Sequence, residues 1–245
     1  MIKPNEYSKA AVRGEPSYVW RAGQVRRLEM IQSAMPSDHK PAVLVNGCGV
    51  GSYLQRLVDF SNPVVGLDID FERTQDSRKK APLVVNAAGE YLPFANNQYE
   101  IILSNEVLEH VQDDQLAIQE MVRCLKPGGR LVLFCPNRGY PFETHGMFWK
   151  GKYFFGNKLF INYLPNVWRN RLAPHVKVYT RRDLEKLFAG LPVKYIRRTV
   201  IFGGYDNIIA RAPALGKFIR GFLYAMEKTF LRIFGLSHFW IIEKI

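Results

Sequence analysis

The sequence predicts an α/β fold in which a mostly parallel sheet carries helices on both faces. From Pro41 onward, short apolar runs rich in β-branched residues alternate with helical patterns long enough to connect parallel strands. With 245 residues, 47% hydrophobic and 23% charged, the chain has the composition of an ordinary globular protein. We therefore expect one domain organised around a single large sheet, with N-terminal cap helices in residues 1–40.

The order of the elements follows from this alternation and from the residues that begin and end each segment. Asp113 and Asp114 suit the start of a helix, and the Lys-Pro-Gly-Gly run at 126–129 ends it. Thr180, with Asp183 three residues later, suits the start of another. The predicted strands are 42–46, 63–68, 83–86, 99–104, 130–135, 193–202 and 238–244, and the predicted helices are 51–60, 71–80, 113–125 and 180–190. The last two strands are expected to pair antiparallel.

Positive charge is concentrated in the last two fifths of the chain. Residues 1–149 contain 16 Lys/Arg and 17 Asp/Glu, whereas residues 150–245 contain 18 and 5. A basic surface confined to one region indicates an anionic partner there, such as a phosphate, a carboxylate, nucleic acid or an anionic membrane. A basic surface kept for solubility alone would be spread more evenly.

The cysteines and the apolar runs bear on location. Cys48, Cys124 and Cys135 are odd in number and lack metal-binding spacing, so we expect neither a disulfide framework nor a metal site. No apolar run approaches the roughly 18 residues of a membrane-spanning helix, and residues 1–14 lack the apolar core of a secretion signal. These features predict a cytoplasmic protein that is soluble or peripheral at a membrane.

Two segments are longer than connections in such a sheet need to be. The first, 137–179, holds eleven aromatic residues and several Lys and Arg but a single acid, Glu143. It can cover an apolar ligand that bears negative charge, or simply pack onto the sheet. The second, 213–234, repeats apolar residues at i, i+3, i+4 and i+7 with basic residues among them, which predicts an amphipathic helix. Such a helix packs on its own domain or lies in a membrane interface.

Residues 43–51, Val-Leu-Val-Asn-Gly-Cys-Gly-Val-Gly, place a glycine turn between a strand and a helix. Alternate glycines let the backbone turn sharply and let a ligand approach the main chain at a helix N-terminus. The G-x-G-x-G spacing differs from the G-x-G-x-x-G of dinucleotide-binding turns and lacks the Gly-Lys-Ser/Thr ending of a P-loop. Alone, the turn is a weak indicator of any one ligand.

A carboxylate at the end of the second predicted strand strengthens this interpretation. Asp68 follows the glycine turn by about 20 residues, where a carboxylate can accept hydrogen bonds from a ribose diol. The alternative role, capping the next helix, suits Asp70 better. The turn and Asp68 both fall at the C-terminal edge of the sheet, where open α/β folds bind ligands.

Five ordered motifs resemble those of class I S-adenosylmethionine-dependent methyltransferases, in particular the ubiquinone/menaquinone-type subgroup with a methyltransferase type 11 domain. The motifs are the glycine turn at 43–51, the strand end at 65–68, Gly-Glu-Tyr-Leu-Pro-Phe at 89–94, the segment 99–111 with Leu-Glu-His near its end, and the Leu-Lys-Pro-Gly-Gly turn in 125–131. The resemblance covers residues 41–137.

This resemblance implies a Rossmann-like sheet of seven strands with the last one antiparallel, insertions after strands five and six, and S-adenosylmethionine as cofactor. It implies that the glycine turn lies under the methionyl part, that Asp68 holds the ribose, that 88–90 meets the adenine and that 105–107 lies near the methyl group. The implied cofactor-binding residues are Asn46, Gly47, Cys48, Gly49, Gly51, Asp68, Ile69, Ala88, Gly89, Glu90, Asn105, Glu106 and Val107. His110 fits the family's Leu-Glu-His position in a structural or supporting role.

Two positions depart from the family pattern. The family usually has an acid where this chain has Val45, and another where it has Ala88. Each lost polar contact is typically about 1–3 kcal/mol, so either the cofactor affinity falls or the adjacent Asn46 substitutes.

Methyl transfer is an in-line displacement that needs positioning and exclusion of water more than strong acids or bases. If the acceptor is a hydroxyl a base helps, and His145 and Glu143, which follow the fifth strand, are the candidates. The alternative is that both only fix the insertion by hydrogen bonds.

The end of the fourth strand narrows the choice of acceptor. It lacks the Pro-Pro-aromatic element and the Pro-Cys nucleophile of enzymes that methylate nucleic-acid bases, although ribose-bearing or phosphate-bearing acceptors remain open. No acidic cluster typical of a magnesium-dependent catechol enzyme is evident in the sequence.

Two functions stay open from the sequence alone. In the first, the protein methylates a small, largely apolar acceptor with an anionic or lipid-like portion. The insertion would hold its body, and its charge would meet Lys150, Lys152, Lys158, Arg169 or Arg171. In the second, the fold is retained as a binding module whose basic C-terminal region engages RNA or a protein partner. Tyr18, Trp20 and Arg21 would either close the cofactor site as a lid or pack as ordinary core residues.

Overall fold

Seven strands pair into one sheet in the computed structural model, which describes residues 20–245. Four further strands form two small sheets. In chain order, the strands of these residues are β1 (Val43–Asn46), β2 (Val64–Asp68), β3 (Val84–Asn86), β4 (Tyr99–Asn105), β5 (Leu125–Pro136), β6 (Phe142–Glu143), β7 (Met147–Trp149), β8 (Lys152–Phe154), β9 (Lys158–Leu159), β10 (Val193–Ile201) and β11 (Ser237–Lys244). The large sheet has the order β10-β11-β5-β4-β1-β2-β3.

The sheet is parallel except at one strand. β1 pairs in parallel with β2 and β4, β2 with β3, and β4 with β5, whereas β11 runs antiparallel to both β5 and β10. This confirms the predicted sheet of seven strands with the last one antiparallel.

Helices cover both faces of the sheet. They are α1 (Ala22–Gln32), α2 (Leu54–Leu57), α3 (Phe71–Arg78), α4 (Asp114–Cys124), α5 (Asn166–Leu172), α6 (Arg181–Leu187), α7 (Asp206–Arg211) and α8 (Pro213–Met226), with 3₁₀ turns at Ile161–Tyr163 and Phe230–Phe234. Because side chains alternate along a strand, Leu44 joins the core cluster beside α4 and α6, while Val43 and Val45 join the one beside α1 and α2.

The predicted helix caps are present. Asp70 accepts hydrogen bonds from the backbone N–H groups of the first turn of α3, and Asp113 does so for α4. Thr180 and Asp183 form a reciprocal capping box at the start of α6. Such caps typically contribute about 1 kcal/mol each because they satisfy N–H groups that have no partner within the helix.

Two predicted boundaries before the first insertion are wrong. The helix expected at 51–60 is only Leu54–Leu57, because the left-handed glycines of the preceding turn extend to Gly51 and delay it. The turn at 126–129 lies within β5 as a bulge, since Tyr99 pairs with Leu125 but Ile101 pairs with Arg130.

The helix expected at 213–234 is interrupted. α8 ends at Met226, and a 3₁₀ turn begins at Phe230. Between them, the Glu227 carboxylate accepts hydrogen bonds from Arg26 and from the backbone of Phe202, and the Thr229 hydroxyl accepts one from the N–H of Leu231. These contacts turn the chain away from the helix axis.

The two insertions follow β5 and β10, as predicted. The first contains the small antiparallel pairs β6–β9 and β7–β8 together with α5, and the second contains α7 and α8. Of the helices expected in residues 1–40, α1 is described, and residues 1–19 lie outside the described part of the chain. Within residues 20–245, no helix has both the length and the apolar character needed to cross a bilayer.

Candidate functional site

A cavity of about 860 Å³ opens at the C-terminal edge of the parallel strands. Residues that follow β1, β2 and β4 line it, and so does part of α1. Ligands of open α/β sheets bind at this edge because strand ends and loops converge there. Of the residues expected to bind the cofactor, those that line the cavity are Asn46, Gly47, Cys48, Gly49, Asp68, Ile69, Ala88, Gly89, Glu90, Asn105, Glu106 and Val107.

The three glycines of the turn have different structural roles, although all have left-handed backbone angles. A Cβ on Gly47 would lie 2.1 Å from Cγ2 of Val107, so no side chain fits there. A Cβ on Gly51 would meet Ser77 at 3.0 Å, so this glycine allows α3 to pack closely and does not line the cavity. A Cβ on Gly49 would meet nothing within 4 Å, which leaves this part of the backbone open to a ligand.

Asp68 fixes the glycine turn to the end of β2. One carboxylate oxygen accepts a hydrogen bond from the N–H of Gly49 at 2.8 Å, and the other accepts one from Asp70 at 2.9 Å. The residue is buried, yet it lines the cavity. Each oxygen can accept more than one hydrogen bond, so the carboxylate remains able to bind a ligand diol.

The side-chain amide of Asn46 indicates a polar ligand in the cavity. The residue is 1% exposed, and neither its Oδ1 nor its Nδ2 has a hydrogen-bond partner among the described residues. A Cβ on Gly89 would lie 2.9 Å from this Oδ1, so only glycine lets the loop approach the amide. A buried amide without partners is costly, and a bound ligand would satisfy it. The amide, the open glycine backbone and Asp68 together fit the implied cofactor.

Arg27 of α1 hydrogen-bonds both Asn105, the last residue of β4, and Glu106, which follows it. Its guanidinium donates to Oδ1 of Asn105 at 2.6 Å and to Oε1 of Glu106 at 2.7 Å. The Ser237 hydroxyl donates to the same Glu106 oxygen at 2.8 Å. Burial favours the neutral acid, but the charge of Arg27 and these hydrogen bonds outweigh it and lower the pKa of Glu106. Glu106 is therefore an ionised group at the edge of the cavity.

Glu109 is a second carboxyl group next to this edge. It is 1% exposed, and no donor among residues 20–245 binds either of its oxygens. Burial, and then the negative charge of Glu106, raise the pKa of Glu109 well above its usual range. The adjacent His110 has a buried Nδ1 without a partner, and burial lowers the pKa of this imidazole to about 4. Nε2 of His110 lies 4.0 Å from Oε1 of Glu109.

The two candidates for a base, Glu143 and His145, are in direct contact. Oε1 of Glu143 lies 3.0 Å from Nδ1 of His145, and its Oε2 accepts a hydrogen bond from Arg169 at 2.9 Å. Burial favours the neutral acid, but the hydrogen bond with His145 and the charge of Arg169 lower the pKa of Glu143. His145 lines the cavity, whereas Glu143 is buried behind it. The carboxylate orients the imidazole by binding Nδ1 and leaves Nε2 for another partner.

Glu109, His110 and His145 meet beside the cavity. Each offers one ligand atom, and these atoms lie within 4.8 Å of one another. No metal site is predicted from the sequence, since its cysteines lack metal-binding spacing and no acidic cluster is evident. His145 belongs to the insertion and is distant from the other two residues along the chain. The signal that could have found this group is topological, since the two segments follow β4 and β5, whose C-terminal ends are neighbours in the sheet.

Another part of the cavity wall is apolar. Its side chains are Tyr153, Phe155, Ile201, Phe202, Tyr224 and Leu236, which the two insertions and the end of β10 contribute. Tyr224 of α8 stacks on the guanidinium of Arg26 at 3.8 Å, and Arg26 donates to Glu227 at 2.9 Å. These contacts hold the second insertion against α1. An apolar compound therefore fits beside the polar part of the cavity.

The expected binding residues for a negative charge are wrong. None of Lys150, Lys152, Lys158, Arg169 and Arg171 lines the cavity. Arg169 is buried in its ion pair with Glu143, and Lys150, Lys152 and Arg171 are exposed to solvent. The arginines that do line the cavity are Arg21, Arg26, Arg27 and Arg73.

The expected lid is described only in part. The ring of Trp20 packs edge-on against Tyr53 at 5.0 Å, with the guanidinium of Arg56 over it, and does not line the cavity. Arg21 lines the cavity, and Tyr18 lies outside the described residues. Ordinary packing therefore accounts for Trp20.

Comparison with known proteins agrees with the motifs. Residues 44–133 match the family model of a methyltransferase domain. A probable S-adenosylmethionine-dependent methyltransferase of Mycolicibacterium smegmatis is 32% identical over 98 residues, which are 39% of this chain and 38% of that protein. A ubiquinone/menaquinone biosynthesis C-methyltransferase of Saccharophagus degradans is 33% identical over 110 residues, which are 41% of this chain and 44% of that protein. The chain thus matches less than half the length of these curated relatives.

The fold is shared more widely than the sequence. The crystal structure of an S-adenosylmethionine-dependent methyltransferase from Mesorhizobium loti superposes with a TM-score of 0.63 at 15% identity. The superposition covers 91% of this chain and 98% of that one. The likeness in fold therefore extends well beyond residues 44–133.

Proposed function

We propose that this protein, whose residues 44–133 form a class I S-adenosylmethionine-dependent methyltransferase domain, methylates a small, largely apolar acceptor with an anionic or lipid-like portion. The supporting observation is a single cavity that contains both the cofactor-binding turn and an aromatic wall. Ligand cavities are typically about 300–1,000 Å³, so this one, near the upper end, has room for a cofactor and a second small molecule.

The polar part of the cavity would hold the cofactor, S-adenosylmethionine, which supplies an electrophilic methyl group when bound. The open backbone at Gly49 would approach it, and Asp68 would accept hydrogen bonds from its ribose. The unpartnered amide of Asn46 would replace the polar contact that the family usually draws from the position of Val45, whose side chain is buried in the core on the other face.

The apolar part would hold the acceptor and exclude water from it. Exclusion of water matters because a sulfonium is attacked by any correctly placed nucleophile. His145 stands where a hydroxyl acceptor could transfer a proton to Nε2, since Glu143 already binds Nδ1. The buried Glu143 carboxylate would stabilise the resulting imidazolium.

The proposal is tested by calorimetric titration of the full chain with S-adenosylmethionine and S-adenosylhomocysteine, with NAD as a negative ligand. We expect saturable binding of both cofactor forms and at least about tenfold weaker binding in Asp68→Ala, since hydrogen bonds to a charged group are typically about 1.5–3 kcal/mol. The matched control is Asp59→Ala, which removes an exposed acid outside the cavity and should leave affinity unchanged.

No binding by the wild-type protein at millimolar cofactor would contradict the proposal. It would mean that the departures at Val45 and Ala88 have removed the affinity, and it would favour a binding module. Equal affinities of wild-type protein and Asp68→Ala would instead contradict the assigned ribose contact.

We also propose that residues 213–234 contact an anionic membrane, where a lipid-like acceptor would be found. In α8 only Gly216 is buried, so the helix does not pack as a core helix. Leu215, Phe218 and Phe222 form an exposed apolar stripe, and Phe230, Ile233 and Phe234 extend it. Basic side chains accompany the stripe, namely Lys217, Arg220, Lys228 and Arg232. The single acid of the segment, Glu227, is paired with Arg26.

Vesicle sedimentation tests this contact. We expect the protein to sediment with phosphatidylcholine vesicles that contain phosphatidylserine, and salt to weaken the binding because the basic residues contribute through screened charges. Phe218→Glu/Phe222→Glu should bind at least about tenfold more weakly, since burying each ring contributes about 1.5–3 kcal/mol. Ile196→Glu, at an exposed apolar position on β10, should bind normally. Equal binding by all three proteins would exclude residues 213–234 as the contact.

A further inference from the structure

We propose that Glu109, His110 and His145 form a binding site for a divalent transition-metal ion beside the methyl-transfer cavity. The inference rests on the proposed function, and it deepens that function by specifying an acceptor that binds through oxygen. The three side chains come from the segments after β4 and β5, and their ligand atoms lie within 4.8 Å of one another. His110 and His145 also line the cavity, so an ion there would be accessible to an acceptor.

The state of Glu109 is the main support. A carboxyl group that is 1% exposed and has no donor on either oxygen is expensive to bury. Nε2 of His110 lies 4.0 Å from Oε1 of Glu109, too far for a hydrogen bond, and a cation bound to Glu109 would supply the missing contact.

The geometry of the histidines also fits a metal. Glu143 binds Nδ1 of His145 at 3.0 Å and is itself held by Arg169, which leaves Nε2 for an ion. Metal-bound histidines usually have such a carboxylate on the other ring nitrogen, because it sets the tautomer and the ring orientation. The rings of His110 and His145 meet edge-on at 5.3 Å, and the buried Nδ1 of His110 has no hydrogen-bond partner among the described residues.

The donor set selects the class of ion. Two imidazoles and one carboxylate are the ligands of catalytic zinc sites, which keep a further position open for water or substrate. Mg²⁺ and Ca²⁺ prefer sites made of oxygen alone. Metal–ligand bonds of about 2.0–2.2 Å place ligand atoms roughly 3–4 Å apart, so modest side-chain rotations would close the site.

The coordination position that the three protein ligands leave open determines which class of acceptor can bind the ion. A hydroxyl bound to the ion loses its proton more easily, because the cation stabilises the oxygen anion. His145 is then a ligand, and the proton passes to water. The acceptor oxygen would form a bond to the methyl carbon as the carbon–sulfur bond breaks. The electron pair of the broken bond would go to sulfur. The acceptor class is therefore a hydroxyl compound whose apolar body lies along the aromatic wall.

The test uses the full chain, stripped of metal with a chelator and titrated with Zn²⁺, Co²⁺ and Mn²⁺. We expect one ion per chain, and visible absorption of the Co²⁺ form typical of nitrogen and oxygen ligands. Glu109→Gln and His145→Ala should lose this binding. Glu143→Gln, which removes the carboxylate that orients His145 and also breaks the buried ion pair with Arg169, should weaken it about 10–100-fold. The matched control is His39→Ala, since His39 is a partly exposed histidine that also lies near acids, outside the cavity.

Urea unfolding distinguishes a metal ligand from a residue that only stabilises the fold. Because neither oxygen of Glu109 accepts a hydrogen bond in the metal-free protein, Glu109→Gln should unfold at the same urea concentration as the metal-free wild type, or a higher one. Excess Zn²⁺ should stabilise the wild type and leave Glu109→Gln unchanged.

The inference is overturned if the wild type binds none of the three ions, if Glu109→Gln still binds them, or if His39→Ala loses them. Titration of the metal-free protein with S-adenosylhomocysteine keeps the two proposals apart. Cofactor binding without metal binding would refute the metal site and leave the proposed function standing. Metal binding without cofactor binding would refute the proposed function.

Discussion

Gly47→Ala is expected to destabilise the protein by about 2–5 kcal/mol and to abolish cofactor binding. The backbone at this position is left-handed, with φ at 75°, which costs an L-residue about 1–2 kcal/mol. The new Cβ would also lie 2.1 Å from Cγ2 of Val107, and such overpacking typically adds about 1–3 kcal/mol. Relief of this clash must move the glycine turn away from the end of β4, which deforms the cavity between them. Urea unfolding and titration with S-adenosylhomocysteine measure the two effects.

Two further variants separate the backbone strain at Gly47 from the steric contact with Val107. Gly190 has nearly the same φ, 78°, but a Cβ there would meet nothing within 4 Å, so Gly190→Ala should lose only the strain of about 1–2 kcal/mol. Val107→Ala introduced into Gly47→Ala should restore part of the stability by removing the opposing methyl groups. If Gly47→Ala were no less stable than Gly190→Ala, the close approach to Val107 would not be what requires glycine.

Arg169→Met is expected to destabilise the protein by about 3–5 kcal/mol, which is the usual result of removing one partner of a buried ion pair. The side chains of Arg169 and Glu143 are 3% and 1% exposed and lie 2.9 Å apart. Arg169 also donates to the carbonyl oxygens of Ala173 and Val176. Without it, a buried carboxylate and two carbonyls lose a donor, and His145 loses the support of its partner. Urea unfolding measures the loss.

An exposed pair provides the matched control. Arg181 and Glu185 lie 2.9 Å apart on α6, but their side chains are 63% and 33% exposed, so Arg181→Met should lose less than about 1 kcal/mol. Adding Glu143→Leu to Arg169→Met removes both buried charges and should recover most of the stability. Additive losses in the double variant would show that the two residues act independently.

The sheet was largely predictable because its signals are local. The apolar runs at 42–46, 63–68 and 99–104 become β1, β2 and β4 within a residue or so at each end, and Asp70 and Thr180 cap the expected helices. The errors arise where nonlocal contacts decide. Residues 213–234 have the period of one helix, yet Arg26 and Phe202 bind Glu227 from other parts of the chain and end α8 early.

The candidate site shows the same difference between features with local sequence signals and features that depend on nonlocal contacts. The glycine turn and Asp68 could be found because a backbone-binding turn needs glycine and a ribose-binding carboxylate follows a strand at a typical distance. The interpretation of Asn46 depended on the structure, since only burial shows that its amide has no partner. The residues assigned to an acceptor charge were wrong, because composition counts basic residues without showing that Arg169 is buried in an ion pair.

By itself, the sequence determined the α/β class, the order of the strands along the chain and the glycine turn, because hydrophobic period, caps and glycine spacing act over a few residues. Only the tertiary structure decided that Glu109, His110 and His145 meet, that Glu143 lies behind His145, and that the stripe on α8 stays exposed. These features depend on which strand ends become neighbours and on which side chains lose water. Such properties arise from contacts between residues far apart in the chain.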